Sequence, residues 1–221
     1  MSIKPLNTTS YAILGVLAMK PWSAYELTNY MRTSAVHEVC SRTESRLYQE
    51  PKNLAAHGLV DVETEYVGKR KRTIYYINER GHDELYKWLG ERSKPLEQQD
   101  EFVLKIFLGD QGSKTQILNS IHWAMEELHE HVILLKIITE RVLSDEYQMP
   151  ERIHIAVIAA KYAITKSRQR FEFLRWTEQW VRSWRGTKID KSKRDQAIAL
   201  IPKFDNELDI LARDLSEKLK Q

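Results

Sequence analysis

Residues 59–78 read LVDVETEYVGKRKRTIYYIN, and their pattern decides the fold. From Leu59 to Tyr66 apolar and polar residues alternate with period two, the signature of a strand with one buried face. The run TIYYI at 73–77 is rich in β-branched and aromatic side chains, which suit a second strand. Between the two lie Gly68, Lys69, Arg70, Lys71 and Arg72. The stretch therefore predicts a two-stranded hairpin with a cationic tip. Asn78 follows as a cap for a helix bearing Leu85, Trp88 and Leu89.

Upstream of the hairpin the signals are helical. Thr8 and Thr9 are suitable N-caps for a short helix bearing Ile13, Leu14, Val16 and Leu17, and Pro21 stops it. Ser23-Ala-Tyr-Glu26 is a capping-box pattern that opens a second helix with Leu27 and Met31 on its inner side. A second such pattern, Ser41-Arg-Thr-Glu44, opens a third helix that turns Leu47 and Leu54 inward and ends at Gly58. The order helix, helix, helix, hairpin, helix is that of a winged helix-turn-helix, in which one helix enters the major groove and the wing meets the flanking backbone.

Three stretches in this region, YAILGVLAMKPWSAYEL (11–27), SRLYQEPKNLAAHGLV (45–60) and YYINERGHDEL (75–85), resemble the corresponding segments of PadR-family transcriptional regulators, in the same order. The helical remainder resembles the C-terminal domain of the larger members only in length and helical character. The resemblance implies a homodimer on a near-palindromic operator, usually a repressor, released in some members by a small molecule.

On this reading the third helix faces DNA. Tyr48 matches the tyrosine of the family's leucine-tyrosine pair, and Ser45 and Arg46 lie near the helix start. Arg46 can donate two hydrogen bonds to a guanine edge, a contact that supplies ~1–3 kcal/mol of discrimination. Gln49 and Lys52 add phosphate or base contacts. At the hairpin tip Lys69, Arg70, Lys71 and Arg72 can neutralise phosphates and release condensed counterions. Pro51 departs from the family's commoner apolar residue; inside a helix it removes a backbone donor and predicts a kink or tightening.

The C-terminal half predicts a dimerisation domain of antiparallel helices. Pro95–Gln99 reads as a connector, followed by a short helix with Phe102, Val103, Ile106 and Phe107. Ile121, Met125, Leu128, Val132, Leu135, Thr139 and Val142 follow alternating steps of four and three, the spacing of a coiled-coil seam. Pro150 separates this helix from another running to about Trp184. That helix carries one stripe of Ala160, Ile164, Phe171, Leu174 and Val181, and a second of Phe173, Trp176, Trp180 and Trp184. Two apolar stripes imply two neighbours, one within the protomer and one across a dimer. Leu128, Leu135, Phe173, Trp176, Trp180 and Trp184 are the candidate dimerisation residues. Trp176 and Trp180 are also candidates for contact with a small aromatic effector. A last helix presents Ile201, Phe204, Leu208, Leu211, Leu215 and Leu219, with Pro202 in its first turn or kinking it, and is expected to pack on the other two.

The fold class is thus mainly α with a small β-hairpin wing: a winged helix-turn-helix at 1–94 and a helical domain at 95–221. Composition agrees with a folded chain, at 42% hydrophobic and 29% charged residues. The net charge of +3 is too small to argue for nucleic acid by itself, so the argument rests on where the charge sits. The single Cys40 leaves no intrachain disulfide and fits a reducing compartment, the start MSIKPLNTTS lacks a secretory core, and no apolar run approaches a membrane span. The expectation is a cytoplasmic protein without membrane association.

Three other readings were open. His122, Glu126 and His129 share a helical face and His37, Glu38 and Cys40 cluster, as a metal sensor would need, but neither makes a strong ligand set, so no metal or other cofactor is expected. No glycine-rich phosphate loop, nucleophile elbow or zinc-hydrolase motif supports an enzyme. A protein-interaction adaptor with a degenerate winged helix is disfavoured by the cationic wing.

Overall fold

A computed structural model describes residues 5–34, 36–40, 44–67, 70–96, 99–143 and 150–220. The first helix, α1 (Thr8–Leu17), is opened by Asn7, one residue before the threonines expected to cap it. The Asn7 side chain accepts from Thr9 N at 2.8 Å, while Ser10 Oγ accepts from Asn7 N at 2.9 Å, a reciprocal box. A short strand, β1 (Trp22–Ser23), then leads into α2 (Ala24–Thr33), whose start is the expected Ser23/Glu26 box. A single turn, α3 (Val36–Val39), precedes α4 (Glu44–Ala56). The box expected at Ser41 falls on residues 41–43, outside the described residues.

The end of α4 is built as its sequence predicts. Gly58 adopts φ +69°, a conformation that costs glycine little and β-carbon-bearing residues more. Leu59 N donates to Leu54 O at 3.1 Å and Gly58 N to Ala55 O at 2.9 Å, which satisfies two helix-end carbonyls and aims the chain into β2 (Val60–Val67).

The strand β3 (Arg70–Ile77) pairs antiparallel with β2 from Val60↔Ile77 to Val67↔Arg70. On its other side β3 pairs with β1 through Trp22↔Tyr75 and Ser23↔Ile74, giving the order β1-β3-β2. Helix α5 (Glu79–Gly90) follows, capped by Asn78, whose side chain accepts from Gly81 N at 3.1 Å. Ile13, Leu14, Leu17, Leu27, Met31, Leu47, Leu54, Val60 and Tyr75 form the core of this N-terminal fold.

Two details locate α5. Tyr11 stacks on Trp88 with ring centroids 4.7 Å apart and donates its hydroxyl to Glu84 at 2.8 Å. Burial, and then the Glu84 carboxylate, push the Tyr11 phenol up to about 12. Leu89, near the end of the same helix, is exposed. Gly81 sits where a β-carbon would lie 2.2 Å from the Leu59 carbonyl oxygen and 2.7 Å from Ile77 Cγ1. Gly81→Ala is therefore expected to destabilise the fold by about 1–3 kcal/mol through overpacking, read as a lowered Tm with an unchanged circular-dichroism spectrum before the transition.

Beyond α5 the chain forms α6 (Glu101–Phe107), α7 (Lys114–Val142), α8 (Ile153–Arg182) and α9 (Lys191–Lys218). Met1–Glu97 and Glu130–Arg168 make one compact unit; Gln98–His129 and Gln169–Gln221 make another. In the latter, Ile117, Ile121 and Ala124 of α7 pack with Leu174 and Val181 of α8, and Phe102, Ile106 and Leu128 border them. Lys114 at the start of α7 donates to the Arg182 and Trp184 carbonyls at the end of α8, so these stretches run antiparallel.

The loop between α8 and α9 is held by polar ties. Thr187 Oγ1 donates to Gly112 O at 2.9 Å, Lys188 Nζ to Asp110 O at 3.0 Å and the buried Lys193 Nζ to Gly186 O at 2.7 Å. Asp190 caps α9 eleven residues earlier than Ile201, so Pro202 lies well inside the helix and not in its first turn. Contrary to expectation, among the described residues α9 leaves its apolar seam largely uncovered: Ile201, Phe204, Leu208, Leu211 and Leu215 are all exposed. Among the described residues no helix is long and apolar enough to cross a membrane.

Candidate nucleic-acid interface

Helix α4 is rotated by its own sequence. Leu47, Pro51 and Leu54 recur at helical spacing, and all three side chains are buried. Glu50, beside them, accepts from Ser10 Oγ of α1 at 2.5 Å and from Asn53 Nδ2 at 3.1 Å, which pins the helix to α1. The opposite face is left to solvent: Ser45, Arg46, Gln49 and Lys52 are exposed, and Tyr48 is half-buried at its edge. This is the set expected to meet a groove, and it shares one side of one helix.

Pro51 does not end the helix. It is the eighth residue of α4, and its ring is buried in the core. Proline cannot supply the amide that would bond the Leu47 carbonyl, and burial of the ring offsets that loss on the face away from the exposed side chains.

The wing is β2 and β3. Lys71 is exposed. Lys69 lies outside the described residues, and Arg70 is described only in its backbone, where it pairs with Val67. Arg72 is placed differently from a free tip cation: its Nη2 lies 2.5 Å from Glu26 Oε2 of α2. The same Glu26 oxygen accepts from Ser23 N at 3.1 Å and Ser23 Oγ at 2.8 Å. Burial works against charge on Glu26, but the Ser23 bonds and the Arg72 guanidinium outweigh it and hold the carboxyl below the ordinary glutamate value. The Ser23-Glu26 pattern is visible in the sequence; the Arg72 partner, 46 residues away, carries no local signal.

The candidate dimerisation and effector residues divide. Leu128 and Trp184 pack against the core of their own unit, and Leu135 is half-buried. Phe173 and Trp176 are exposed. Trp176 and Trp180 lie 6.2 Å apart between centroids at 14°, Trp176 meets Phe204 of α9 edge-on at 6.1 Å, and Trp180 meets Trp184 edge-on at 6.4 Å. Outside this ladder, Arg170 pairs with Asp100, the cap of α6, and stacks over Phe102. Of the metal-sensor candidates, His122 Nε2 lies 3.2 Å from Glu126 Oε1 on the surface of α7, and Cys40 is buried with its sulfur 3.9 Å from Thr9 Oγ1.

Residues 13–87, which span α1 to α5, match the family described as the transcriptional regulator PadR-like family. Over those residues the chain carries a PadR-like domain. A curated relative, the negative transcriptional regulator PadR of Bacillus subtilis (strain 168), is 31% identical over 105 residues, covering 46% of this chain and 57% of that protein. The match thus spans little more than half of the relative. The fold of the chain also matches solved structures. The crystal structure of Bacillus subtilis PadR in complex with operator DNA aligns with TM-score 0.66 at 21% identity, over 79% of this chain and 99% of that one. A PadR-like transcriptional regulator from Bacillus cereus aligns with TM-score 0.64 at 16% identity, over 80% and 99%. Bacillus subtilis PadR in complex with p-coumaric acid aligns with TM-score 0.54 at 20% identity, over 77% and 97%. These likenesses concern the mainly helical fold with its winged N-terminal domain, and the PadR-like family is one of transcriptional regulators, not enzymes.

Proposed function

We propose that this PadR-like regulator binds a near-palindromic operator duplex as a homodimer in the cytoplasm, represses transcription, and is released by a small aromatic effector. Residues 1–94 read DNA, and residues 95–221 dimerise and receive the effector. The observation that carries the reading is the single exposed face of α4, with Ser45, Arg46, Gln49 and Lys52 beside a wing that presents Lys71. Arg46 makes the base contact, Tyr48 flanks it, and Lys52, Lys69, Arg70 and Lys71 meet phosphates. Repression is supported by the curated relative's description as a negative regulator.

Dimerisation is supported by the apolar surface that the single chain leaves uncovered, Phe173 and Trp176 on α8 and the seam of α9. Monomeric proteins seldom expose contiguous apolar surface of this kind. For the effector, the p-coumaric acid complex of Bacillus subtilis PadR makes a planar phenolic acid the first ligand to test, stacked on the exposed side of Trp176.

The test is a titration against the promoter of the protein's own gene beside an unrelated duplex, at two salt concentrations. Selective, salt-sensitive binding is expected, and Arg46→Ala should weaken operator binding by ~1–3 kcal/mol while leaving the unrelated duplex almost unaffected. Equal weak binding to both duplexes in the wild type would overturn operator recognition. Unchanged operator affinity across a graded phenolic-acid panel would remove the effector from the scheme and leave DNA binding standing.

A further inference from the structure

Arg72 was grouped by sequence with the phosphate-binding tip, but its surroundings point elsewhere. The backbone pairing of β1 with β3 ends at Ser23↔Ile74. Toward the tip, among the described residues β3 pairs only with β2, and the pair runs on from Thr64↔Thr73 to Val67↔Arg70. A two-stranded ribbon is marginally stable by itself and twists freely. Arg72 lies two residues beyond that last link, on the same face of β3 as the buried Ile74, and reaches Glu26 in the first turn of α2.

Glu26 is itself fixed: one oxygen receives the Ser23 amide, the Ser23 hydroxyl and the Arg72 guanidinium. Helix α2 packs directly on α4. The chain of contacts thus runs from the projecting ribbon, through Arg72 and Glu26, into the helix that supports the exposed face of α4. Arg72 Nε is buried without a hydrogen-bond partner among the described residues, a cost that this placement carries. Both side chains keep about two-fifths of their surface, 38% and 42%, and a pair that exposed contributes little to stability. Its contribution lies in geometry.

We propose that Arg72 and Glu26 are positioning residues: together they brace the wing against the helix-turn-helix and fix the angle at which wing and α4 meet the duplex, and Arg72 does not contact phosphate. The proposal rests on the DNA-binding reading for its functional consequence. It has a structural consequence that needs no DNA.

Two measurements test it on the full-length protein, with Arg72→Ala, Glu26→Ala and the milder Glu26→Gln, each checked for an unchanged circular-dichroism spectrum. The first places spin labels at Asn29→Cys on α2 and Tyr66→Cys on β2, both exposed positions, while the buried Cys40 stays unlabelled. The distance distribution is expected to be narrow in the wild-type background and broad in all three variants. Equally narrow distributions throughout would overturn the brace.

The second titrates the operator across salt. A brace predicts that Arg72→Ala and Glu26→Ala each lose about tenfold in affinity, the lower range for coupled parts of one site, and that the double variant is no worse than either. The slope of log affinity against log salt stays unchanged. A phosphate contact predicts the opposite: the slope falls by about 0.9 in Arg72→Ala, and Glu26→Ala, which frees the guanidinium, binds as well as wild type or better. A wild-type protein that does not prefer its operator would count against DNA recognition, while the label distances would still decide the brace.

Discussion

In the proposed homodimer, Leu208→Glu combined with Leu211→Glu is expected to break the dimer into monomers and to lower operator affinity by roughly a hundredfold to ten-thousandfold. Both side chains lie on the uncovered seam of α9, 63% and 54% exposed, so charge there costs the single chain almost nothing. In a dimer the same carboxylates would have to be buried unpaired against apolar partners. Two recognition helices must be held about one duplex turn apart, ~34–36 Å, to read two half-sites at once. A monomer keeps its affinity for one half-site and loses the effective concentration that the second supplies. Sedimentation reads the first effect and an operator titration the second. A variant that remains dimeric would move the interface off α9, with Phe173 and Trp176 as the next positions to charge.

Leu27→Ala should be among the most damaging single truncations in the winged domain. Leu27 has no exposed surface and lies at the centre of the cluster joining α1, α2 and α4. Removing a buried leucine side chain costs about 2–5 kcal/mol through lost transfer energy and the cavity left behind. At about 4–8 °C per kcal/mol for a domain of this size, Tm falls by at least about 8 °C. Leu89→Ala is the control: at 67% exposure it is expected to shift stability by no more than about 0.5 kcal/mol, although the sequence groups Leu89 with Leu85 and Trp88 on one helix. A large loss in the control would mean that α5 buries a face the isolated chain does not.

The contrast between these leucines shows where local sequence stops being informative. The hairpin is legible because period-two alternation and a glycine-led cationic turn admit few other readings, and Gly58 is legible because its positive φ and two return hydrogen bonds have a residue preference. The rotation of α4 follows from Leu47 and Leu54. Caps are harder where Asn7, Thr8 and Thr9 stand in a row, each with a suitable oxygen, and only the backbone geometry selects Asn7. Leu89 and Arg72 fail for a common reason. Each belongs to a pattern, an apolar face or a basic run, whose members differ only in what approaches from distant sequence. Pro51 is conspicuous as a departure, yet nothing local says that its ring is buried while the helix runs on. For α9 the seam is legible, but among the described residues most of it stays exposed.

The aromatic ladder of the C-terminal helices has an optical consequence. Of the six tryptophans, Trp176, Trp180 and Trp184 stand within transfer distance of one another, and Trp176 is 40% open to solvent. Excitation absorbed by any of the three is shared among them, so their emission reports the surroundings of the most red-shifted ring. Whatever covers Trp176, a second chain or a planar ligand, excludes water from that ring and moves the emission toward the blue. The protein thus carries a built-in fluorophore at its uncovered apolar surface.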